Sequence, residues 1–332
     1  MRIGVIGAGA IGGAIAALLA HDAHEVEVTA RGDNLRAIQA KGIRLTGGFG
    51  DFTAAVSAAP ELTRAPELAI VATKAQDARA AILANAKLLA GAPVVVVQNG
   101  LDGVAVTAPL LPRSDVLGAL AMYASSLVEP GHISITTPGR TYIGGGGDLP
   151  GRYVVSLLDE VMPTELIGNF VGAQWTKLVV NQVNALPAIT GLSVQEVIAD
   201  AGLRRILTRS MKENVRTGMA QGIRFESLQG LSDTRLRLFA RAPLALAEAL
   251  PKLMARRMGS APNPGSTLQS IRRGGLTEVD YLNGAVVEAA AELNLAAPVN
   301  ASIVALVHDV ERTRVFLTPD EVVERIQFAT VS

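Results

Sequence analysis

Three observations predict an α/β fold with a doubly wound parallel sheet, followed by an all-helical domain. Short apolar runs alternate with helix-like segments through the first half of the chain, the order that builds an open parallel sheet. The runs are continuous rather than alternating, as in Val94–Val97, which suits strands covered on both faces. Near residue 170 the strand pattern stops and long helical patterns take over. These place a first domain at 1–168 and a second at 169–332.

Taken in order, Ile3–Ile6 reads as a strand, Ala10–Ala20 as a small-residue helix, Val26–Ala30 as a second strand and Asn34–Lys41 as a second helix. Glu67–Thr73 and Pro93–Gln98 read as further strands around a helix at Gln76–Leu89. The Glu129-Pro130-Gly131 turn precedes two short segments, Ile133–Thr136 and Thr141–Ile143, expected as antiparallel strands at the sheet edge. Gly144–Gly147 reads as a flexible stop. Helices are expected over Val171–Ala188, Ser193–Gln221, Asp233–Arg257, Thr277–Leu293 and Val299–Val310.

Composition excludes several classes of function. The 30 basic and 30 acidic residues balance, which argues against a broad surface for nucleic acid or anionic membrane. There is no cysteine, hence no thiol nucleophile, disulfide framework, cysteine zinc site or iron–sulfur cluster. His21, His24, His132 and His308 are scattered without ligand spacing, so no metal is expected. The uncharged stretch Ile3–Ala20 contains five glycines, at positions 4, 7, 9, 12 and 13. It therefore reads as strand, turn and helix rather than as a membrane span or signal peptide, and a cytosolic location is expected.

Gly7-Ala8-Gly9-Ala10-Ile11-Gly12 is a G-x-G-x-x-G run between the first strand and its helix. In a Rossmann-like unit one glycine makes the tight turn, the next admits a pyrophosphate, and the third lets helix pack on strand. The residue after the second strand selects the dinucleotide, an acid for the ribose hydroxyls of NAD or a cation for the 2′-phosphate of NADP. Here it is Arg31, with Asp33 beyond Gly32. Lys74 follows the strand ending at Thr73 and would lie at the same carboxyl edge. NADP(H) is favoured over NAD(H).

In the helix running through Trp175–Asn184, Lys177, Asn181 and Asn184 interrupt an apolar sequence. At about 100° per residue, Asn181 lies about 40° to one side of Lys177 and Asn184 about 20° to the other. One face thus carries three polar groups whose unpartnered burial would be costly, as expected of a pocket wall. A solvent-facing stripe is the alternative. Pro187 cannot bond to the Val183 carbonyl and is expected to bend this helix. Downstream, Ser266 falls in the loop Pro262–Leu268, and Glu278 at the start of a helix would favour its dipole.

Taken together, GAGAIG, Lys74, the Gln98-Asn99-Gly100 turn, EPGHI, WTKLVVN and LTEVDYLNG resemble the ketopantoate reductase family (2-dehydropantoate 2-reductases) across almost the whole chain. The resemblance implies reduction of the 2-oxo acid ketopantoate to pantoate by NADPH, a step of pantothenate biosynthesis. It implies that Lys177 is the catalytic lysine and general acid and that Glu278 is the acid near the substrate. Asn99 would lie between nicotinamide and substrate, Asn181 one turn beyond the lysine, and Ser266 on the substrate carboxylate. Arg31 and Lys74 would hold the 2′-phosphate, and a homodimer through the helical domain is implied.

Two substrate-side positions depart from the family pattern. An asparagine is usual eight residues after the lysine, where this chain has Ala185, with Asn184 one step early. Four residues after Ser266, where an acid is common, stands Ser270. The chain is also longer than the family norm, with the surplus near residues 222–264, which include a basic helical stretch at Arg235–Arg257 containing Pro243 and Pro251. Alternative readings are a β-hydroxyacid or opine-type dehydrogenase, and a non-catalytic NADPH-binding sensor or partner-binding module.

Overall fold

The computed structural model describes residues 1–259 and 262–331. The chain divides into two compact units, Met1–Phe170 and Val171–Ser332.

In the first unit the elements run β1 (Arg2–Ile6), α1 (Ala10–His21), β2 (Glu25–Thr29), α2 (Gly32–Lys41), β3 (Ile43–Gly47), β4 (Phe52–Ala54), β5 (Ser57–Ala59), β6 (Leu68–Val71), α3 (Ala75–Leu89), β7 (Val94–Val97), α4 (Gly103–Thr107), β8 (Val116–Ala121), β9 (Ala124–Glu129), β10 (His132–Thr137), β11 (Thr141–Gly144), α5 (Asp148–Leu158) and β12 (Thr164–Leu166). Eight strands form the main sheet in the order β12-β11-β8-β7-β6-β1-β2-β5. All neighbours are parallel except β11 against β8. β6 and β7 are buried at every residue, which accounts for their unbroken apolar sequence.

The segments after residue 130 differ from expectation. Ile133–Thr136 does not border the main sheet. As part of β10 it belongs to a second sheet, order β4-β3-β10-β9, parallel to β3 and antiparallel to β9. Its partner β3 is a half-buried strand with alternating burial, too short to stand out from the polar turns around it. β11 is antiparallel to β8 as expected, but β12 and not β11 forms the edge. The glycines after β11 are packing residues rather than a flexible stop. A Cβ on Gly144 would come 2.9 Å from the Phe170 ring, and one on Gly146 would come 2.7 Å from the Val116 carbonyl oxygen.

The second unit comprises α6 (Phe170–Asn181), a 3₁₀ turn (Gln182–Asn184), α7 (Ala185–Thr190), α8 (Val194–Ala199), α9 (Ala201–Ala220), α10 (Asp233–Arg241), α11 (Leu244–Ala247), α12 (Ala249–Arg257), α13 (Gly265–Arg272), a π-helical turn (Asp280–Gly284), α14 (Ala285–Glu292), α15 (Pro298–Thr313) and α16 (Pro319–Val331). The expected long helices are cut by identifiable residues. Asp200 ends α8 and caps α9 by accepting from Leu203 N at 2.8 Å. Pro243 is the N-cap of α11 and Pro251 lies in the first turn of α12, places where a missing N–H costs nothing. They divide Asp233–Arg257 into three helices. Pro187 likewise sits in the first turn of α7, and the break expected there falls earlier, at the 3₁₀ turn. No helix among the described residues is long and apolar enough to cross a membrane.

Candidate active site

Each glycine of the fingerprint turn has its own reason to be glycine. Gly7 has φ +100°, and a Cβ there would meet the Thr73 backbone nitrogen at 2.9 Å. A Cβ on Gly12 would lie 2.1 Å from the Gly7 carbonyl oxygen, so α1 could not approach β1. Gly9, the N-cap of α1, has nothing within 4 Å of that position. Its bareness answers to no protein neighbour, which fits a site kept clear for a ligand. α1 has neither a side-chain cap nor an acidic residue in its first turn. Its N–H groups at Ala10, Ile11 and Gly12, with the helix dipole, therefore suit a pyrophosphate.

The turn is held from several sides by residues whose role the sequence did not reveal. Thr29 Oγ1 accepts from Gly7 N at 3.0 Å, and Ala8 N donates to the Thr29 carbonyl at 2.9 Å. Asn34 donates to the Ala8 carbonyl at 2.7 Å and accepts from Gly131 N at 2.8 Å, joining the turn to the β9–β10 hairpin. One strand over, Gln98 donates to the Thr73 carbonyl at 3.1 Å. No local pattern marks Asn34 or Gln98, because their partners lie 26 and 25 residues away.

β2 and β6 flank β1, so the chain leaves β1 in opposite directions, the switch point at which such sheets bind ligands. Arg31, Lys74 and Asn99 follow the carboxyl ends of β2, β6 and β7. Arg31 is exposed, at the N-cap of α2. Lys74 is the N-cap of α3 and is half-buried, and Asn99 is half-buried before Gly100, whose φ is +90°. Of the nearby acids, Glu27 is engaged inside the fold, while Asp33 forms an exposed surface pair. Asp33 pairs with Arg36, and Glu27 accepts from Thr63 N at 3.0 Å and Thr63 Oγ1 at 2.6 Å.

In the helical unit, Lys177 is 9% exposed on α6. Burial pushes its ammonium down to about 8, and the Glu278 carboxylate pulls it partly back up. The expected pocket-wall lysine is thus an enclosed group within electrostatic reach of the late glutamate, 101 residues downstream in the sequence. Glu278 is half-buried. Its carbonyl accepts from Tyr281 N at 3.0 Å and Leu282 N at 3.1 Å, two residues before the π-helical turn at Asp280–Gly284 begins. Such turns are rare and recur at functional positions.

Asn181 is the last residue of α6 and is half-buried. The 3₁₀ turn that follows advances about 120° per residue rather than about 100°. Asn184 therefore moves to the Asn181 side of the lysine face, and Ala185, 2% exposed, is turned away. Asn184 Oδ1 accepts from Ser266 N at 3.3 Å. A Cβ on Gly265 would come 2.8 Å from that oxygen, so glycine is needed for the approach. Ser266 is not in a loop, as expected, but in the first turn of α13, which Pro264 caps. Its side chain is exposed. Ser270 points back along α13 and donates to the Ser266 carbonyl at 3.2 Å. Of the histidines, His24 comes together with Asp22 and Glu160, both exposed, and the group supports no metal assignment.

A doubly wound sheet with a fingerprint turn at its switch point defines a dinucleotide-binding protein. The family model "Ketopantoate reductase PanE/ApbA" matches residues 3–147, and its C-terminal counterpart matches residues 169–311. The chain belongs to the ketopantoate reductase family, oxidoreductases acting on CH–OH groups. Its relatives include the 2-dehydropantoate 2-reductases of Pyrococcus horikoshii, 27% identical over 92% of this chain and 96% of that one, and of Archaeoglobus fulgidus, 29% identical over 93% and 98%. Similar solved structures include a PanE/ApbA family ketopantoate reductase from Ralstonia eutropha, with TM-score 0.79, 28% identity and coverage of 95% of this chain and 99% of that one. D-mandelate dehydrogenase with NADH and anilino(oxo)acetate shares the fold, with TM-score 0.81 at 19% identity, covering 94% and 99%.

Proposed function

We propose that this protein reduces a 2-oxo acid, ketopantoate or a related branched substrate, to the 2-hydroxy acid with NADPH, and that Lys177 is the general acid. The observation that carries the reading is the enclosed Lys177 beside Glu278. An exposed lysine would give up its proton too reluctantly, whereas one poised at about 8 remains charged at neutral pH and can still release a proton.

When bound, the nicotinamide supplies the hydride. The α1 N–H groups and the bare Gly9 would hold the pyrophosphate, and Arg31 and Lys74 the 2′-phosphate, since a cation stands where β2 ends and Glu27 on β2 is engaged by Thr63. Lys177 Nζ stabilises the charge that grows on the substrate carbonyl oxygen and then protonates it. Glu278 keeps the enclosed ammonium charged until that point. Asn181 and Asn184 offer amides on the same face as the lysine, the exposed Ser266 hydroxyl would take the substrate carboxylate, and Asn99 would orient the nicotinamide and substrate. A homodimer through the helical unit and a cytoplasmic location belong to the same reading.

NADPH consumption with branched and aromatic 2-oxo acids, with and without an added amino acid, and NADP⁺ reduction with 3-hydroxy acids together test the proposal. Turnover with a 2-oxo acid is expected. Preference for a 3-hydroxy acid would favour a β-hydroxyacid dehydrogenase, a preferred amino-acid substrate would point to opine-type chemistry, and tight NADPH binding without any turnover would point to a sensor.

A further inference from the structure

Below the lysine face, the helical unit holds a cluster of polar side chains in an otherwise apolar interior. Gln182, Ser210, Asn283 and Asn300 are each at most 1% exposed. They come from the 3₁₀ turn, α9, the π-helical turn and α15. Two donors converge on Gln182 Oε1, the Ser210 hydroxyl and the Asn283 amide, each at 2.6 Å. Asn283 also donates to Asn300 Oδ1 at 2.9 Å. Asn300 donates to Glu213 Oε2 at 2.7 Å and to the Ser210 carbonyl at 3.2 Å. Glu213 in turn accepts from Val299 N and Asn300 N, both at 2.9 Å, and so fixes the start of α15.

The placement of this cluster is specific. Gln182 lies five residues after Lys177, and Asn283 five residues after Glu278. The Gln182–Asn283 hydrogen bond therefore joins the two segments just beyond the two groups they carry. Gln182 also donates to the Leu178 carbonyl at 3.4 Å, the residue next to Lys177. An apolar contact would hold the segments together but let them slide, whereas short bonds in a low-dielectric interior fix register, because any slip leaves buried polar groups unpaired.

We propose that Gln182 and Asn283, buttressed by Ser210 and Asn300, are positioning residues that lock the Lys177 helix to the Glu278 segment and so set the separation and enclosure of the lysine and glutamate. This rests on the reading of Lys177 as the acid, and the geometry of the cluster supplies the added step. Asn283, hidden in the LTEVDYLNG motif, thereby acquires a task distinct from binding substrate.

The test is the titration of Lys177 in the full chain labelled with ¹³C at the lysine ε position. The chain has six lysines, Lys41, Lys74, Lys87, Lys177, Lys212 and Lys252, so the Lys177 signal is assigned by its loss in Lys177→Ala. The wild type is expected to titrate at about 8. Asn283→Leu and Gln182→Met, which keep the side-chain shape and remove the bonds, are expected to move the midpoint upward by about one unit, because burial is the larger influence on Lys177 and water reaching the ammonium outweighs any retreat of Glu278. Asn214→Leu is the control for packing alone, since Asn214 is equally buried on α9 and outside the cluster. It should change thermal stability and leave the Lys177 midpoint in place. If Asn283→Leu does not fold, Ser210→Ala removes one donor with almost no volume and should shift the midpoint in the same direction. A lowered Tm with an unmoved midpoint in the cluster variants would overturn the proposal. The titration needs no substrate, so a failure to reduce any 2-oxo acid would sink the proposed function without deciding this test.

Discussion

Lys177 is held in a form that costs the fold stability. Its proton affinity falls from 10.5 in the free side chain to about 8 in the folded protein, so the unfolded chain binds the proton more tightly between those values. Stability therefore rises with pH across that window, and below pH 8 the penalty is fully present. Lys177→Met should stabilise the protein at pH 7 by up to about 3 kcal/mol, measured by urea unfolding. The gain should vanish by about pH 10.5, and turnover should fall by at least about 10²-fold. A destabilised Lys177→Met variant at pH 7 would contradict the enclosure. At the cofactor side, Arg31→Glu should cut NADPH affinity by about tenfold or more while affecting NADH much less, the scale of one charge-assisted contact. Titration calorimetry with both dinucleotides reads this directly. Lys177 was legible because a cation in a greasy helix violates its surroundings. Ala185 and the early Asn184 were legible as departures, but where they point depended on a 3₁₀ turn that no spacing rule foretells.

The fingerprint turn separates two kinds of glycine at the level of the element. Gly12→Ala places a methyl group 2.1 Å from the Gly7 carbonyl oxygen, so α1 must leave β1. A loss of about 2–4 kcal/mol is expected, measured by chemical denaturation. Gly9→Ala meets no protein atom within 4 Å, so stability should change little while NADPH affinity falls at least tenfold, again read by calorimetry. Equal effects of the two substitutions on stability would refute the division. The strands of the parallel sheet were readable because burial on both faces leaves unbroken apolar runs. β3 and β4, half-buried and three to five residues long, carry too little pattern, and so β10 was assigned to the wrong sheet. The helical patterns were right in kind but too long, because Asp200, Pro243 and the 3₁₀ turn are caps and breaks whose effect depends on what packs around them.

For the whole molecule, the absence of cysteine excludes thiol and cysteine-ligated cluster chemistry, and the balanced charge argues against a broad nucleic-acid surface. The fingerprint turn lies in one compact unit and the enclosed lysine in the other. The buried cluster around Gln182 was invisible in the sequence because its members are contributed by four elements separated by up to 118 residues. The central claim, that Lys177 donates the proton, makes opposite demands on the two directions of reaction. The decisive measurement is the pH dependence of kcat for 2-oxo acid reduction by NADPH and for oxidation of the matching 2-hydroxy acid by NADP⁺. Reduction should decline above a pH of about 8, where Lys177 loses its proton, and oxidation should rise through the same value, both limbs vanishing with the activity in Lys177→Ala. Parallel profiles in the two directions, or an unaltered kcat in Lys177→Ala, would contradict the account.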